Sequence, residues 1–339
     1  MKVAIGYHIQ DGPWGGGNQF AKALTQALRD EGKQVCFDLD EPDIDIILLT
    51  EVRGRSPTGS FNAGSILRYL QFTNSGALVV HRINECDERK GTGNLNAFLM
   101  RANYVADHTI FVGSWLRGLP IWREGPSSVI LNGGDSSVFK ARSAVSFEDR
   151  KPLRLVTHHW GSHRMKGHDV YEFLDRLMRD AEWRKRIQFT YIGNKPTGLV
   201  FSEAKYLPPL HGSDLASELA THHVYITGSM NEPGAMHPVE GALSGLPLIY
   251  RNSGSMSEYC GGFGIAFNCI EDLPAAIESM IAEYDDWKKS VDQYPNTAEH
   301  MCRQYIEVFE NLLRTRDEIV GERRIWREVG TALRNQIAI

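Results

Sequence analysis

The sequence has few of the features that mark secreted, membrane-spanning or metal-binding proteins. Its five cysteines, at positions 36, 86, 260, 269 and 302, are odd in number and scattered, which is typical of a reducing cytosol. No apolar run approaches the ~20 residues that a membrane-spanning helix needs. The first residues enter a strand pattern instead of a leader peptide. We therefore expect a cytoplasmic protein whose only membrane contact would be peripheral, at the inner face.

Charge and glycine spacing argue against two further classes. The net charge of −5 gives no support to nucleic-acid binding. The first strand leads to Gly15-Gly16-Gly17, which lacks both the Gly-x-Gly-x-x-Gly of a dinucleotide site and the Gly-Lys-Ser/Thr of an NTPase loop. A dinucleotide-dependent oxidoreductase is thus a distant alternative.

The length of 339 residues, with 42% hydrophobic and 23% charged residues, indicates two soluble domains. Short apolar strands alternate with amphipathic helices, which predicts parallel sheets covered on both faces. The alternation lapses around residues 140–152 and then restarts. We predict an α/β protein with one Rossmann-like domain at 1–145, a second at 146–316, and a final helical segment at 317–339. Ligands usually bind in the cleft between two such halves.

The stretch from Thr227 to Gly254 carries the most specific signal. Glu232 lies in a loop, and Glu240 lies in the predicted opening turn of a helix, where the helix dipole favours an ionised carboxylate. Ionised acceptors suit hydroxyl groups, so a sugar or a ribose is the natural ligand. Three residues near the helix start offer backbone N–H groups for an anion: Gly234, Ala235 and Met236.

This pattern resembles the donor-sugar motif of retaining GT-B-fold glycosyltransferases of the Glu-x7-Glu type. The resemblance rests on Glu232-x7-Glu240, the following Gly-Leu-Pro, and Asn252-Ser-Gly254. It implies two Rossmann-like domains facing each other across a cleft, with the last helix crossing back to the N-terminal domain. It also implies transfer of a sugar, with retention at the anomeric carbon, from a nucleotide-diphosphate sugar to a carbohydrate, lipid-linked or small-molecule hydroxyl acceptor.

The resemblance also implies roles for individual residues. Glu232 would bind hydroxyls of the donor sugar, and Glu240 would hold the ribose. Lys166, before Gly167, matches the lysine that contacts the diphosphate, where fixed positive charge stabilises the transition state. The family usually has an arginine directly after the glycine that ends this strand. This chain has Ser162 there, and Arg164 is the nearest substitute.

Two other stretches match donor-binding positions of the family. The glycine loop that approaches the diphosphate corresponds to Gly16 and Gly17, and the nucleobase site corresponds to Tyr206 and Leu207. Taken without the resemblance, a tight strand-to-helix turn is the better explanation of the glycine stretch. A proline-rich connector explains Tyr206 and Leu207 nearly as well as a nucleobase site does.

Polar residues occupy the end of the predicted strand at 77–83 and the loop after it. Such groups line the crevice in open α/β folds. We expect His81 to act at the reacting sugar, and Arg82, Asn84 and Asp87 to face the acceptor. A charged surface loop is an equally good explanation for any one of them.

The histidines invite a metal interpretation, but none has the spacing of a known metal motif. We therefore expect neither a metal nor another cofactor. The histidines concerned are His158, His159, His163, His168, His222 and His223.

Three alternatives stay open. The fold also serves nucleotide-sugar epimerases and phosphorylases, and the missing arginine after Gly161 is compatible with a non-catalytic nucleotide-sugar-binding subunit.

Arginines of the tail would fit anionic lipid head groups, although the interleaved acidic residues favour an ordinary solvated helix face.

Overall fold

The computed structural model describes residues 1–12, 15–53, 56–140, 147–148, 151–323 and 329–336. The chain divides into two compact units. One comprises Met1–Leu131 with the described part of Glu299–Ile339, and the other comprises the described part of Asn132–Ala298. These boundaries precede those expected at 145 and 316, and the expected linker at 140–152 lies largely outside the described residues.

The boundaries fall early because the segments entering and leaving the second unit pair with each other. Gly134 forms a parallel bridge with Thr297. A Cβ at Gly133 would lie 2.0 Å from the carbonyl oxygen of Thr297. Only glycine permits so close a backbone approach at this point.

Each unit contains a six-stranded sheet in which all neighbouring strands are parallel. The first sheet has the order β2-β1-β3-β4-β5-β6: β1 (Lys2–Ile5), β2 (Gln34–Cys36), β3 (Ile46–Leu49), β4 (Leu78–Ile83), β5 (His108–Phe111) and β6 (Ser127–Val129). The second sheet has the order β12-β11-β10-β7-β8-β9: β7 (Leu153–His159), β8 (Ile187–Gly193), β9 (Lys205–Leu207), β10 (Val224–Thr227), β11 (Leu248–Arg251) and β12 (Gly264–Phe267).

The helices that connect and cover these strands are, in chain order, α1 (Gly16–Asp30), α2 (Ala63–Phe72), α3 (Asp87–Lys90), α4 (Leu95–Ala102), α5 (His168–Leu177), α6 (Ala181–Arg186), α7 (Gly212–Leu219), α8 (Met236–Leu243), α9 (Met256–Cys260), α10 (Leu273–Ala282), α11 (Tyr284–Val291), α12 (Ala298–Arg314), α13 (Arg316–Glu322) and α14 (Val329–Gln336). Short 3₁₀ turns occur at Asn103–Val105, Ser114–Gly118, Arg164–Lys166 and Ile270–Asp272.

The tail completes the core of the first unit on both faces of its sheet. Phe309 of α12 packs with Leu24 of α1 against one face. Ala332 of α14 is buried with Ile66 and Leu70 of α2 on the other. Alternate residues of the central strands supply the two faces, as the pleat requires. The prediction of two parallel Rossmann-like halves, with the tail returning to the first, is confirmed.

The second unit has the same architecture around a separate core. Its central strands are apolar and buried on both faces, as parallel strands under two helical layers must be. Because the strands are parallel, the carboxyl ends of β7, β8, β10 and β11 meet at one edge. Ligands bind beyond this edge in open α/β sheets, and the loops that follow these strands carry most of the predicted donor-site residues.

Candidate functional site

Lys166 and Glu232 lie together in two loops that follow β7 and β10. The Nζ atom of Lys166 is 3.9 Å from Oε2 of Glu232, and both side chains are mostly buried. The Met230 N–H donates to the Met165 carbonyl over 2.9 Å, which joins the two loops. The structure thus brings together two predicted site residues that are far apart in sequence.

The loop that carries Glu232 is fixed by its neighbours. Glu232 forms a parallel bridge with Gly254, and its carbonyl accepts the Ser255 N–H over 2.8 Å. A Cβ at Gly254 would lie 2.6 Å from the Glu232 backbone nitrogen. The Ser229 hydroxyl donates to Glu232 Oε2 over 2.8 Å, which orients the carboxylate. The glycine turn after β11 is therefore part of the site's framework.

Glu240 lies deeper in α8 than expected. The helix begins at Met236, so Glu240 occupies its second turn, where the helix dipole acts weakly. A histidine holds the carboxylate instead: Nε2 of His158 lies 2.7 Å from Oε2 of Glu240. Sequence analysis missed this role, because we weighed His158 only as a metal ligand. Its place at the carboxyl end of a buried strand was the available signal.

The start of α8 offers unused hydrogen-bond donors. Ala235 is the N-cap residue and makes no side-chain cap. The N–H groups of Gly234, Ala235 and Met236 have no partner among the residues that the structure describes. The Asn132 amide donates to the Gly234 carbonyl over 3.3 Å and steadies this turn. Three such N–H groups can bind an anionic oxygen.

A neutral histidine lies close to Lys166. His159 is buried, and its Nε2 lies 2.5 Å from the Tyr171 hydroxyl. Burial, helped by the nearby His237 and Lys166, holds the pKa of His159 well below its usual range, so the ring is neutral. His237 pairs with Thr227 over 2.8 Å. The neutral His159 ring adds no positive charge here, and Lys166 is the mostly buried cation beside Glu232.

Arg164 differs from Lys166 although both lie in the same 3₁₀ turn. Its side chain is exposed and has no hydrogen bond or ion pair with any described residue. The expected replacement of the family's arginine by Arg164 therefore stays a prediction.

Tyr206 and Leu207 belong to the edge strand β9. The Tyr206 ring is 41% exposed and stacks on Tyr191, with ring centroids 6.4 Å apart. Lys195 Nζ lies 4.8 Å from its centroid. An exposed aromatic ring on an edge strand, packed on one face against another ring, is suited to stacking with a nucleobase.

The predicted site residues of the first unit have mixed surroundings. Helix α1 begins at Gly16, and Gly17 lies against the Tyr7 ring. The Arg82 guanidinium lies 4.0 Å from the centroid of Phe20 and is almost fully buried. Asn84 is half-buried directly after β4. These four residues remain candidates for contact with the donor diphosphate or the acceptor.

His81 and Asp87 have structural partners instead. His81 lies inside β4 with no exposed surface, accepts from the Asn103 amide over 3.0 Å, and has its pKa lowered to about 3 by burial. The Asp87 carboxylate accepts the N–H groups of Leu95 and Asn96 at 2.9 and 3.0 Å and so caps α4. The His81 side chain has no surface open to a sugar, against our expectation, because a strand under two helical layers buries both its faces. Asp87 is half-buried, and its role toward an acceptor stays a prediction.

Two further features of the described residues bear on ligands. Within these ranges, no three His, Cys, Asp or Glu side chains are grouped so as to hold a metal ion. No described helix combines the length and apolar character needed to cross a bilayer.

No protein-family model matches the sequence, and a search among curated proteins gives no match. Solved structures do match. Anabaena HepE in complex with UDP has a TM-score of 0.67 and 14% identity, over 92% of this chain and 100% of that one. HepE has also been solved with UDP-glucose. Sucrose-phosphate synthase from Thermosynechococcus elongatus has a TM-score of 0.63 and 14% identity, over 93% and 99%.

The similarity extends to a third solved structure, WaaG, a glycosyltransferase involved in lipopolysaccharide biosynthesis. Its TM-score is 0.60 at 14% identity, over 91% of this chain and 99% of that one. At such low identity the likeness is one of fold. The chain therefore has the two-sheet α/β fold of GT-B-type glycosyltransferases.

Proposed function

We propose that the protein is a retaining glycosyltransferase, which moves a sugar from a nucleotide-diphosphate sugar to a hydroxyl acceptor. One observation carries the proposal: Lys166, Glu232 and three unused N–H groups at the start of α8 follow neighbouring strands of one sheet edge. A cation and N–H donors suit a diphosphate, and a fixed carboxylate suits sugar hydroxyls. The fold similarity to HepE, which has been solved in complex with UDP-glucose, supports the same donor class.

In this proposal the chain's groups act mainly on the leaving diphosphate. The bond between the anomeric carbon and the phosphate oxygen breaks, and the acceptor oxygen bonds to the same face of that carbon. The acceptor's proton passes to the departing phosphate. Negative charge grows on the diphosphate as the bond breaks, and Lys166 with the α8 N–H groups stabilises it. Glu232 accepts from the donor sugar, and Glu240 accepts from the ribose.

We propose that this charge stabilisation needs no metal, because Lys166 and the helix start supply it. Measuring turnover with and without EDTA tests the point. Unchanged kcat/KM supports a metal-free site, and a loss restored by a divalent cation contradicts it.

Ligand screening tests the donor class. We would measure the thermal stability of the protein with each nucleoside diphosphate and each matching nucleotide sugar. A ligand at ~100 times its Kd adds about 2.7 kcal/mol to the free energy of unfolding. We expect stabilisation by one nucleotide family. No stabilisation by any of them would overturn the proposal.

Turnover with an acceptor pool tests the reaction. NMR of the product gives the anomeric configuration, and we expect it to match that of the donor. Conversion of the donor without acceptor to an epimer would instead indicate an epimerase.

A non-catalytic nucleotide-sugar-binding subunit is the second candidate. It is favoured by one observation: Ser162 stands where the family has its arginine, and no described residue holds Arg164, the nearest substitute, at the site. Tight donor binding without turnover for any acceptor would support it. Loss of turnover, at unchanged donor affinity, in an Arg164→Ala variant would contradict it.

A further inference from the structure

His158 joins the carboxylate of Glu240 to the sheet. It lies near the carboxyl end of β7, and its Nε2 is 2.7 Å from Glu240 Oε2. Both side chains are almost fully buried. A buried carboxylate loses much of its hydration and needs compensating donors, and His158 supplies one from a strand instead of from the helix that carries Glu240.

Tyr225 determines how His158 meets Glu240. The Tyr225 hydroxyl accepts the His158 backbone N–H over 3.0 Å and lies 3.0 Å from its Nδ1. Burial raises the pKa of Tyr225 well above its ordinary value, so the hydroxyl keeps its proton and can donate it to Nδ1. The same hydroxyl lies 3.3 Å from the His158 carbonyl oxygen, so Nδ1 is the nearer of its two acceptors. When the hydroxyl donates to Nδ1, the ring proton lies on Nε2, directed at Glu240.

The backbone enforces this arrangement. A Cβ at Gly241, next to Glu240 in α8, would lie 2.5 Å from ring atoms of Tyr225. A glycine at this position therefore lets α8 lie directly on β10. Three elements, β7, β10 and α8, together hold one carboxylate.

The other oxygen of Glu240 is left for a ligand. Oε1 has no hydrogen-bond partner among the described residues, and it is not among their buried unsatisfied atoms, so it retains contact with solvent. One carboxylate oxygen is bound by the protein and the other is open.

We propose that His158 is a positioning residue: by fixing Oε2 it presents Oε1 to a ribose hydroxyl of the donor and so sets the preference for ribonucleotides. The inference rests on the proposed function, because that function assigns the ribose to Glu240. His158 itself does not touch the donor.

The readout is the ratio of Kd values for a 2′- or 3′-deoxynucleoside diphosphate and its ribo counterpart, using the nucleotide that stabilises the protein best. A hydrogen bond to a charged group contributes enough for a preference on the order of tenfold or more. A variant that is merely less stable does not change this ratio.

We expect the wild-type protein to prefer the ribonucleotide and Glu240→Ala to lose that preference. His158→Phe should bring the ratio close to one. His158→Gln should keep part of it, because its amide N–H can reach the carboxylate. His222→Phe is the matched control, since His222 is also a buried, hydrogen-bonded histidine of the same unit but pairs with Thr190, and the ratio should not change.

The outcomes separate the two proposals. If the wild-type protein binds no nucleotide, the proposed function is wrong. If it prefers the ribonucleotide and His158→Phe retains that preference, the positioning role is wrong while the function stands. If His158→Phe does not fold, Tyr225→Phe replaces it, because it removes the hydroxyl that contacts the His158 backbone N–H and Nδ1 and keeps the His158 side chain. An unchanged ratio then contradicts the inference.

Discussion

The carbonyl oxygen of Gly228 lies 2.1 Å from the point where a Cβ on Gly167 would be. Gly167 also has a left-handed φ of 80°, a conformation that side chains disfavour. Because Gly167 directly follows Lys166, and Gly228 begins the loop to Glu232, this contact sets the spacing of the two charged groups.

Gly167→Ala should therefore damage both stability and donor binding. The added methyl group meets backbone, which cannot move aside as a side chain can. We expect a loss of about 3 kcal/mol or more in the free energy of unfolding, measured by denaturant titration. Nucleoside diphosphate affinity should fall as well, because Lys166 shifts away from Glu232.

Gly198→Ala is the control for this prediction. Gly198 has a similar φ of 88°, but a Cβ there would have no neighbour within 4 Å. It should lose only the ~1–2 kcal/mol of the left-handed conformation and retain nucleotide affinity. Equal losses in the two variants would show that the backbone conformation matters and the contact with Gly228 does not.

Lys166→Ala should weaken binding of ligands that carry a diphosphate, because Lys166 is the fixed cation near Glu232. We expect kcat/KM to fall on the order of 10²-fold. Calorimetry with a nucleoside and with its diphosphate separates the loss of the lysine's charge from a change in the shape of the site. The affinity of Lys166→Ala for the diphosphate should fall, and its affinity for the nucleoside should not. The exposed Lys185→Ala serves as control, and a Lys166→Ala variant that loses affinity for both ligands equally would contradict the assignment.

The sequence predicted the fold because local signals agreed along the chain. Buried runs such as Ile46–Leu49 are continuous and apolar, and they alternate with amphipathic helices. The tail's return was also predictable from its apolar residues and the family resemblance. The unit boundaries were not, because they depend on the pairing of Gly134 with Thr297, a contact between residues that are far apart in sequence.

The proximity of Lys166 and Glu232 was predictable because each belongs to a separate motif of the resemblance that implies contact with the donor. The candidate site was not predictable where strand geometry decides which side chains are buried. His81 looked accessible in the sequence, but β4 buries it completely. His158 looked like one histidine among several, and only the packing of α8 on Tyr225 brings it to Glu240.

Arg323 should be a main anchor of the tail. Its guanidinium makes bonds of 3.0 and 2.5 Å to the Asp107 carboxylate and donates to the Ser75 and Ala77 carbonyls over 2.8 Å each. Both charged side chains are about nine-tenths buried. Arg323→Met leaves Asp107 without this partner, and we expect a loss of about 3–5 kcal/mol in denaturant titration.

The matched control for the anchor is Arg186→Met, which breaks an exposed pair with Glu278 at 2.8 Å. Exposed pairs contribute about 0–1 kcal/mol, so this variant should unfold close to the wild-type midpoint. If Arg323→Met is no less stable than Arg186→Met, the anchor is unimportant.

The stability of the protein should fall in mild acid because buried histidines resist protonation. Burial lowers the pKa of His222 to about 4, whereas an unfolded histidine titrates near 6.5. Above pH 6.5 both states are neutral and the contribution is constant. Between pH 6.5 and 4 the unfolded chain binds a proton that the folded chain does not, so the free energy of unfolding falls as pH falls, by about 3 kcal/mol at most for this residue.

His222→Asn removes that proton site, so its stability should depend less steeply on pH between 6.5 and 4. Denaturant titrations at several pH values measure this slope, which is independent of any hydrogen bonds lost at neutral pH. Some slope should remain, because burial also lowers the pKa of His223 to about 4. His222→Asn and His223→Asn together should flatten the curve further, and a double variant as steep as the wild type would contradict this account of acid sensitivity.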